Sequence, residues 1–459
     1  MLAERFPLLA ATEPEVVAYH YTEAGLSGHA IPYWQQAGQR AVERSANVEA
    51  IEHLTTGLQL LKTRPDPQEC THQELTLLTT LGPALMATKG YASPEAEQTY
   101  ARARELGQQM ERTPQLFAVF YGLWAFYLVR AEFPIAQELA EQLLTLAQRV
   151  QDSALLVVAH QAMGTMTVSL GDEALACTHL ERALAFHDPQ QHRALAFIYG
   201  QDPAVFCLAF TAWAQWLLGH PAQALAKNHE AVSRANELDH SFSLASVLVW
   251  AAIFHSLRRD VQATYEQAET AITLSTELGF PFRVAEGTIL RGWALAILGK
   301  AEEGIAQIHQ GLAMHQATGA KIARPWWLAL LAEAYGKTGQ PEEGLITLAE
   351  ALELVHKTGE NQWEAELHRL QGELLLARST VHHTEAEVER CFSRALDMAC
   401  RQQAKSLELR AATSLARLWQ QQGKRQDAYD LLAPVYDWFT EGFDTADLQE
   451  AKRVLGDLS

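Results

Sequence analysis

Three things are scarce in this sequence. Cysteine occurs five times in 459 residues, at Cys70, Cys177, Cys207, Cys391 and Cys400. The five are scattered, without the paired spacing of a disulfide framework or a zinc site. They read as small apolar side chains in a reducing compartment, and a cytoplasmic location is expected. Long apolar runs are missing. The longest, near Leu244–Phe254, is too short to span a bilayer, so no membrane partner is expected. The opening MLAERFPLLAATEPE lacks the basic and apolar regions of a secretory signal. Positive charge is in deficit: 36 Lys and Arg against 55 Asp and Glu leave a formal net charge of −19. Nucleic-acid surfaces need the opposite balance, so no nucleic-acid partner is expected. Strand-like alternation of useful length is also absent.

What is present is helical punctuation at a fixed interval. Residues 285–324 read as two amphipathic helices joined at Gly299-Lys300, the first carrying Leu290, Gly292 and Leu295, the second Gly304, Ile308 and Gly311. Forty residues on, Ala332, Tyr335, Gly339, Gly344, Leu348 and Ala351 stand in the same frame, and Gly279, Gly319 and Gly359 keep the step. Small residues let paired helices approach, and a large one between them fills the gap to the next pair. Trp34, Gly38, Ala41, Ala50, Leu54 and Gly57 form the ladder of the tetratricopeptide signature. The pattern predicts an all-α fold, a right-handed superhelical solenoid of tetratricopeptide-like helix pairs with a repeat length near 34–40 residues and about ten pairs. Roughly 75% helix is expected, far above the norm for globular domains. The expected layout is a lead-in helix over 1–30, N-terminal repeats over 31–187 and an irregular connection or bend over 188–204. C-terminal repeats over 205–436 and a capping helix over 437–459 follow. Asp202-Pro203 is expected to start a helix, Asp as cap and Pro in the first turn.

The wording of several segments goes further. HYTEAGLSGHAIPYWQQAGQRAVERSANVEAIEHLTTGLQLL, LGPALMATKGYASPEAEQTYARARELG and LAEAYGKTGQPEEGLITLAEAL resemble the C-terminal region of bacterial fusions that join a nucleotide cyclase, an ATPase module and helical repeats. Such fusions are of the signal-transduction ATPase type with numerous domains. The resemblance covers most of the chain, 14–450. It implies a repeat arm that senses or binds something and so controls a catalytic front end. Neither a cyclase nor an ATPase core occurs in these residues, so no catalytic role is expected of them. The alternative is a regulatory fragment of an adenylate or guanylate cyclase–ATPase fusion enzyme.

Catalytic chemistry has little footing. Gly336-Lys337-Thr338 is the tail of a phosphate-loop pattern, but Leu331 stands where the loop's first glycine belongs and no strand precedes it. His382-His383 with Cys391 is the densest group of soft ligands, and adjacent histidines diverge on a helix. His187 and His192 fall in the irregular 188–204 region or beside it. Glu302-Glu303 and Glu342-Glu343 recur at the starts of second helices, where the helix dipole favours them. No catalytic, cofactor-binding or metal site is expected.

The aromatics carry the binding reading. First-helix positions that face the concave groove of such a solenoid hold Tyr121, Phe206, Trp213, Trp216, Trp293 and Trp326, and Arg369, Arg410 and Arg417 follow toward the C-terminal end. Aromatics and arginine are the usual anchors of recognition surfaces. Two readings stand: these residues hold a peptide or protein partner, including an ATPase or cyclase module, or the tryptophans fill space between long helices.

Overall fold

The computed structural model describes residues 11–64, 67–108, 114–378 and 385–459. Of these residues 83% are helical, and no strand occurs among them. A lead-in helix, α1 (Pro14–Glu23), is followed by four pairs: α2 (Ser27–Glu43) with α3 (Asn47–Leu61), α4 (Pro67–Lys89) with α5 (Pro94–Gln108), α6 (Pro114–Val129) with α7 (Phe133–Val150), and α8 (Ser153–Leu170) with α9 (Glu173–Phe186). After a short α10 (Leu195–Tyr199) come α11 (Pro203–Leu217) with α12 (Pro221–Glu237), α13 (Ser241–Leu257) with α14 (Val261–Leu278), and α15 (Pro281–Ile297) with α16 (Ala301–Ala317). The last pairs are α17 (Arg324–Lys337) with α18 (Pro341–Thr358), α19 (Glu364–Ala377) with α20 (Glu385–Arg401), and α21 (Lys405–Gln421) with α22 (Arg425–Asp437). Helix α23 (Ala446–Leu458) closes the chain. The whole is a right-handed superhelical solenoid.

The two helices of a pair differ in burial, and the difference follows from composition. Helix α13 reads SFSLASVLVWAAIFHSL and is buried on nearly every side. Its partner α14 buries Thr264, Ala268, Ala271 and Ser275, a single stripe at helical spacing. First helices therefore form the inner layer and second helices the outer one. Starts are set by caps: the Asp202 carboxylate accepts from Val205 N at 2.8 Å, with Pro203 in the first turn, as the sequence predicts. The irregular stretch before it folds inward, where Tyr199 of α10 meets the rings of Phe117 and Tyr121.

Small residues set the spacing within a pair. A Cβ placed on Gly292 would lie 2.7 Å from the Gly304 carbonyl oxygen, so α15 and α16 touch backbone to backbone. Among the described residues one helix, α8, is long and apolar enough to cross a membrane, and most of it is buried against its neighbours.

Successive turns of the superhelix also touch each other. The backbone N–H groups of Lys321 and Ile322 both donate to the Val129 carbonyl, at 2.8 and 3.0 Å. Gly319 holds φ +79° and presses on the Ala92 carbonyl, 2.7 Å from where a Cβ would stand, so only glycine fits this contact. Farther along, Arg259 after α13 pairs with Asp447 of α23 at 3.2 Å, and Ser406 of α21 donates to the Trp216 carbonyl at 2.5 Å.

Candidate functional site

The curl of the superhelix brings first helices of distant pairs face to face, and two cavities open on the inner face. The first is a groove of about 320 Å³ whose walls come from the end of α13, α15, α17, α19, α21 and the closing α23. Its lining holds five cationic side chains (Arg259, Lys337, Arg369, Arg410, Arg417) and five carboxylates (Glu333, Glu366, Glu373, Asp447, Glu450). Eight of the ten, all but Lys337 and Glu333, form a chain of ion pairs. Arg369 meets Glu366 at 2.8 Å and Glu373 at 3.2 Å, and Arg410 meets Asp447 at 2.9 Å and Glu366 at 3.4 Å. Arg259 and Arg417 share Glu450, each at 2.5 Å.

Burial and pairing compete in this network, and pairing wins. Burial works to raise the Glu366 carboxyl, but Arg369 and Arg410 outweigh it and hold the group below its ordinary value. Burial likewise opposes the charge of Arg369, yet Glu366 and Glu373 push its guanidinium further above the usual range. At Glu450 burial is again overcome, by Arg259 and Arg417, and the carboxyl sits at about 2 against an ordinary 4.5. A carboxyl lowered on folding contributes stability above its unfolded value and loses it as pH falls through the folded one. Acid unfolding between about pH 4.5 and 2 is expected to be shallower in Glu450→Gln than in the parent, read by circular dichroism along a pH series. Superimposable acid limbs would show that Glu450 is not part of the linkage.

The second cavity is a chamber of about 100 Å³ toward the N-terminal side, walled by α6, α8, α11, α13, α15 and α17. Eleven of its twenty-five lining residues are aromatic. Phe206 stacks on Phe210 at 4.5 Å, and the Trp213 N–H donates to the Trp250 carbonyl at 3.2 Å.

The sequence-expected residues divide between these places. Tyr121, Phe206 and Trp213 line the chamber, whereas Trp293, Arg369, Arg410 and Arg417 line the groove. Trp326 belongs to both. Trp216 lines neither: it is buried between α11 and α21 with the Arg410 guanidinium 4.9 Å above its ring. The expectation that these aromatics stand open to a partner needs correction. All six are at most 7% exposed, because the tight curl covers one first helix with another. Trp293 is 2% exposed, and its indole N–H is already taken by Glu333 Oε2 at 2.8 Å.

Sequence reasoning missed the carboxylates of the groove, and Asp447 and Glu450 above all, since a closing helix is expected to turn its polar side outward. A signal existed. Residues one repeat apart meet on neighbouring first helices: Trp293 with Glu333 at a separation of 40, Tyr121 with Gln161 at 40, Ser414 with Glu373 at 41.

The remaining chemical candidates fall elsewhere. Gly336-Lys337-Thr338 ends α17, with Thr338 Oγ1 donating to the Tyr335 carbonyl at 2.8 Å, whereas a phosphate loop must precede a helix start. Glu302, Glu303, Glu342 and Glu343 occupy the first turns of α16 and α18. The His187 and His192 rings lie 5.4 Å apart, and burial, then Arg234, push His187 down to about 4. His382 and His383 lie outside the described residues, and Cys391 is half-buried.

No family model matches the chain. An uncharacterised protein of Rhizobium meliloti (strain 1021) is 25% identical over 406 residues, which is 88% of this chain. The chain spans 39% of that relative's length. Among solved structures the chain is similar to a Rap protein complexed with Competence and Sporulation Factor. The TM-score is 0.58 at 11% identity, over 81% of this chain and 98% of that one. The Rap conjugation gene regulator of plasmid pLS20, in complex with the Phr* peptide, gives 0.48 at 10% identity over 83% and 97%. The likeness to the first of these structures and the paired helices place the chain among tetratricopeptide-like helical-repeat folds.

Proposed function

We propose that the chain is a non-enzymatic sensing arm that takes a peptide or protein partner into the charged groove and so regulates an ATPase or nucleotide cyclase module. The groove carries this reading. Its walls hold matched sets of cations and carboxylates on α17, α19, α21 and the closing helix, with Arg259 just after α13. A peptide carrying both charges exchanges its own groups for the internal pairs. Its carboxylates take Arg417 or Lys337, and its cations take Glu333 or Glu373. Because the pairs tie α13 and α21 to α23, such exchange changes the curvature of this end of the superhelix. The fold neighbour solved with Competence and Sporulation Factor supports the reading at the level of architecture. The second reading, a regulatory part of a cyclase–ATPase fusion enzyme, is favoured by the longer relative and the segment resemblance. On either reading the isolated chain is expected neither to hydrolyse ATP nor to cyclise it. Turnover above a blank that survives repurification would overturn this.

Trp293 is buried, so truncating it disturbs core and groove together. Arg417 is the cleaner probe, with its side chain 40% exposed. Peptides selected from a random library on the whole protein are expected to lose about tenfold or more in affinity for Arg417→Ala, a typical anchor loss. The unfolding free energy is expected to fall by only about 1 kcal/mol, since Arg417 is partly exposed and Glu450 keeps Arg259 as a partner. Selected peptides that bind Arg417→Ala and Lys337→Ala as tightly as the parent would place binding away from the groove.

A further inference from the structure

The aromatic chamber does not belong to the groove just described, and its polar groups are out of balance. Most are paired. Arg283 donates to Glu286 at 2.7 Å and to Ser246 at 3.0 Å, and Tyr121 exchanges hydrogen bonds with Gln161. The exceptions share a character. Among the described residues the indole N–H groups of Trp124, Trp326 and Trp327 have no hydrogen-bond partner, though the three side chains are at most 4% exposed. Buried tryptophans ordinarily find an acceptor, and each orphaned donor costs free energy. The Gln362 side-chain amide, with no partner at Nε2 among the described residues, is a fourth such donor, and Glu360 completes the set. Its Oε1 accepts from Ala323 N at 2.8 Å, and its Oε2 has no partner. Burial raises this carboxyl to about 8 against the opposing hydrogen bond from Ala323, so at neutral pH it carries a proton and is a donor as well. The chamber therefore offers a ring-sized apolar space and several unmet donors.

We propose that the chamber is a binding site for a small, uncharged, single-ring heteroaromatic molecule that presents hydrogen-bond acceptors to Trp124, Trp326, Trp327 and Glu360. The walls supply stacking and edge contacts for a flat ring, and the four donors select for acceptor atoms at its rim. A cation is disfavoured because donors surround it and Arg283 stands in the wall. A cavity of this size is close to the scale that holds benzene when apolar, and it also holds several waters when polar. Water is thus the competing occupant.

Pyrazine and benzene separate the two, being nearly equal in shape and different in acceptors. The test uses the whole chain labelled with 15N at its eleven tryptophans, the indole signals assigned by single Trp→Phe changes. Pyrazine is expected to shift the Trp124, Trp326 and Trp327 signals saturably, with an affinity at least tenfold above that of benzene, while N-methylpyridinium leaves them in place. Ala125→Phe places a ring in the chamber and is expected to abolish pyrazine binding. Trp124→Phe keeps the ring and removes one donor; it is expected to weaken pyrazine severalfold and leave benzene unchanged, and it serves if Ala125→Phe does not fold. Equal affinity for pyrazine and benzene overturns the proposal, as does pyrazine binding that survives both substitutions. Signals that respond to neither probe assign the chamber to water alone and overturn it too.

Discussion

Arg410→Ala is expected to lower the unfolding free energy by about 3 kcal/mol or more, the range seen when one member of a buried ion pair is removed. Arg410 is 8% exposed and makes four contacts on four elements. It pairs with Asp447 of α23 and Glu366 of α19, donates to the Leu257 carbonyl at the end of α13, and covers the Trp216 ring of α11. Deleting it leaves a void and strips Asp447 of one of two partners. The remaining partners, Arg259 for Asp447 and Arg369 for Glu366, keep the cost toward the lower end. Arg410→Lys should recover little, because one ammonium cannot serve divergent acceptors and stack on an indole as a planar guanidinium does. Urea denaturation measures the loss. A shift below about 1 kcal/mol would mean that water screens the network as it screens surface pairs.

Gly292→Leu is expected to destabilise by about 3 kcal/mol, the upper part of the usual range for overpacking, because the opposing atoms are backbone and cannot rotate away. Beyond the Gly304 oxygen, the new Cβ would stand 2.9 Å from Ile308 N. Alanine makes the sharper comparison. In an exposed helix, Gly→Ala gains about 0.8–1.0 kcal/mol from propensity alone. At Gly292 the sign should reverse, since the Cβ itself is what does not fit. A denaturation midpoint for Gly292→Ala at or above that of the parent would show that α15 and α16 have room to part.

These two sites differ in how readable they are. Gly292 and Gly304 announce themselves: two small residues flanking a tight turn, repeated at a fixed interval, have few uses besides close helix packing. The step kept by Gly279, Gly319 and Gly359 is equally plain, and each takes positive φ where a second helix ends. Periodicity is local, and it reports each residue's place within its own pair. Arg410 belongs to a different class of fact. That its guanidinium meets the end of α13, 153 residues earlier, depends on the pitch of the superhelix. Pitch sums small rotations over many units, and no residue encodes it alone. The same holds for Trp326, which the repeat frame turns inward without showing that two cavities share it, and for Tyr91, Gln201 and Glu360. These last lie between helices, where the frame makes no statement, and reach the chamber only because the solenoid curls.

The contacts between successive turns bear on how this protein comes apart. An open solenoid is a one-dimensional chain: each unit leans on its neighbours, and the ends fray first. Here the Val129 carbonyl is bound by Lys321 and Ile322, the Ala92 carbonyl is covered by Gly319, and the closing helix is held by Arg259. Such links join units far apart in sequence, so opening one stretch also breaks contacts made by a distant one, and local opening is expected to cost more than in an open array. Unfolding is therefore expected to be more cooperative than in a linear array, with less freedom to shed terminal repeats. The chain also gives up speed, since contacts spanning well over a hundred residues must form before the last units are secure.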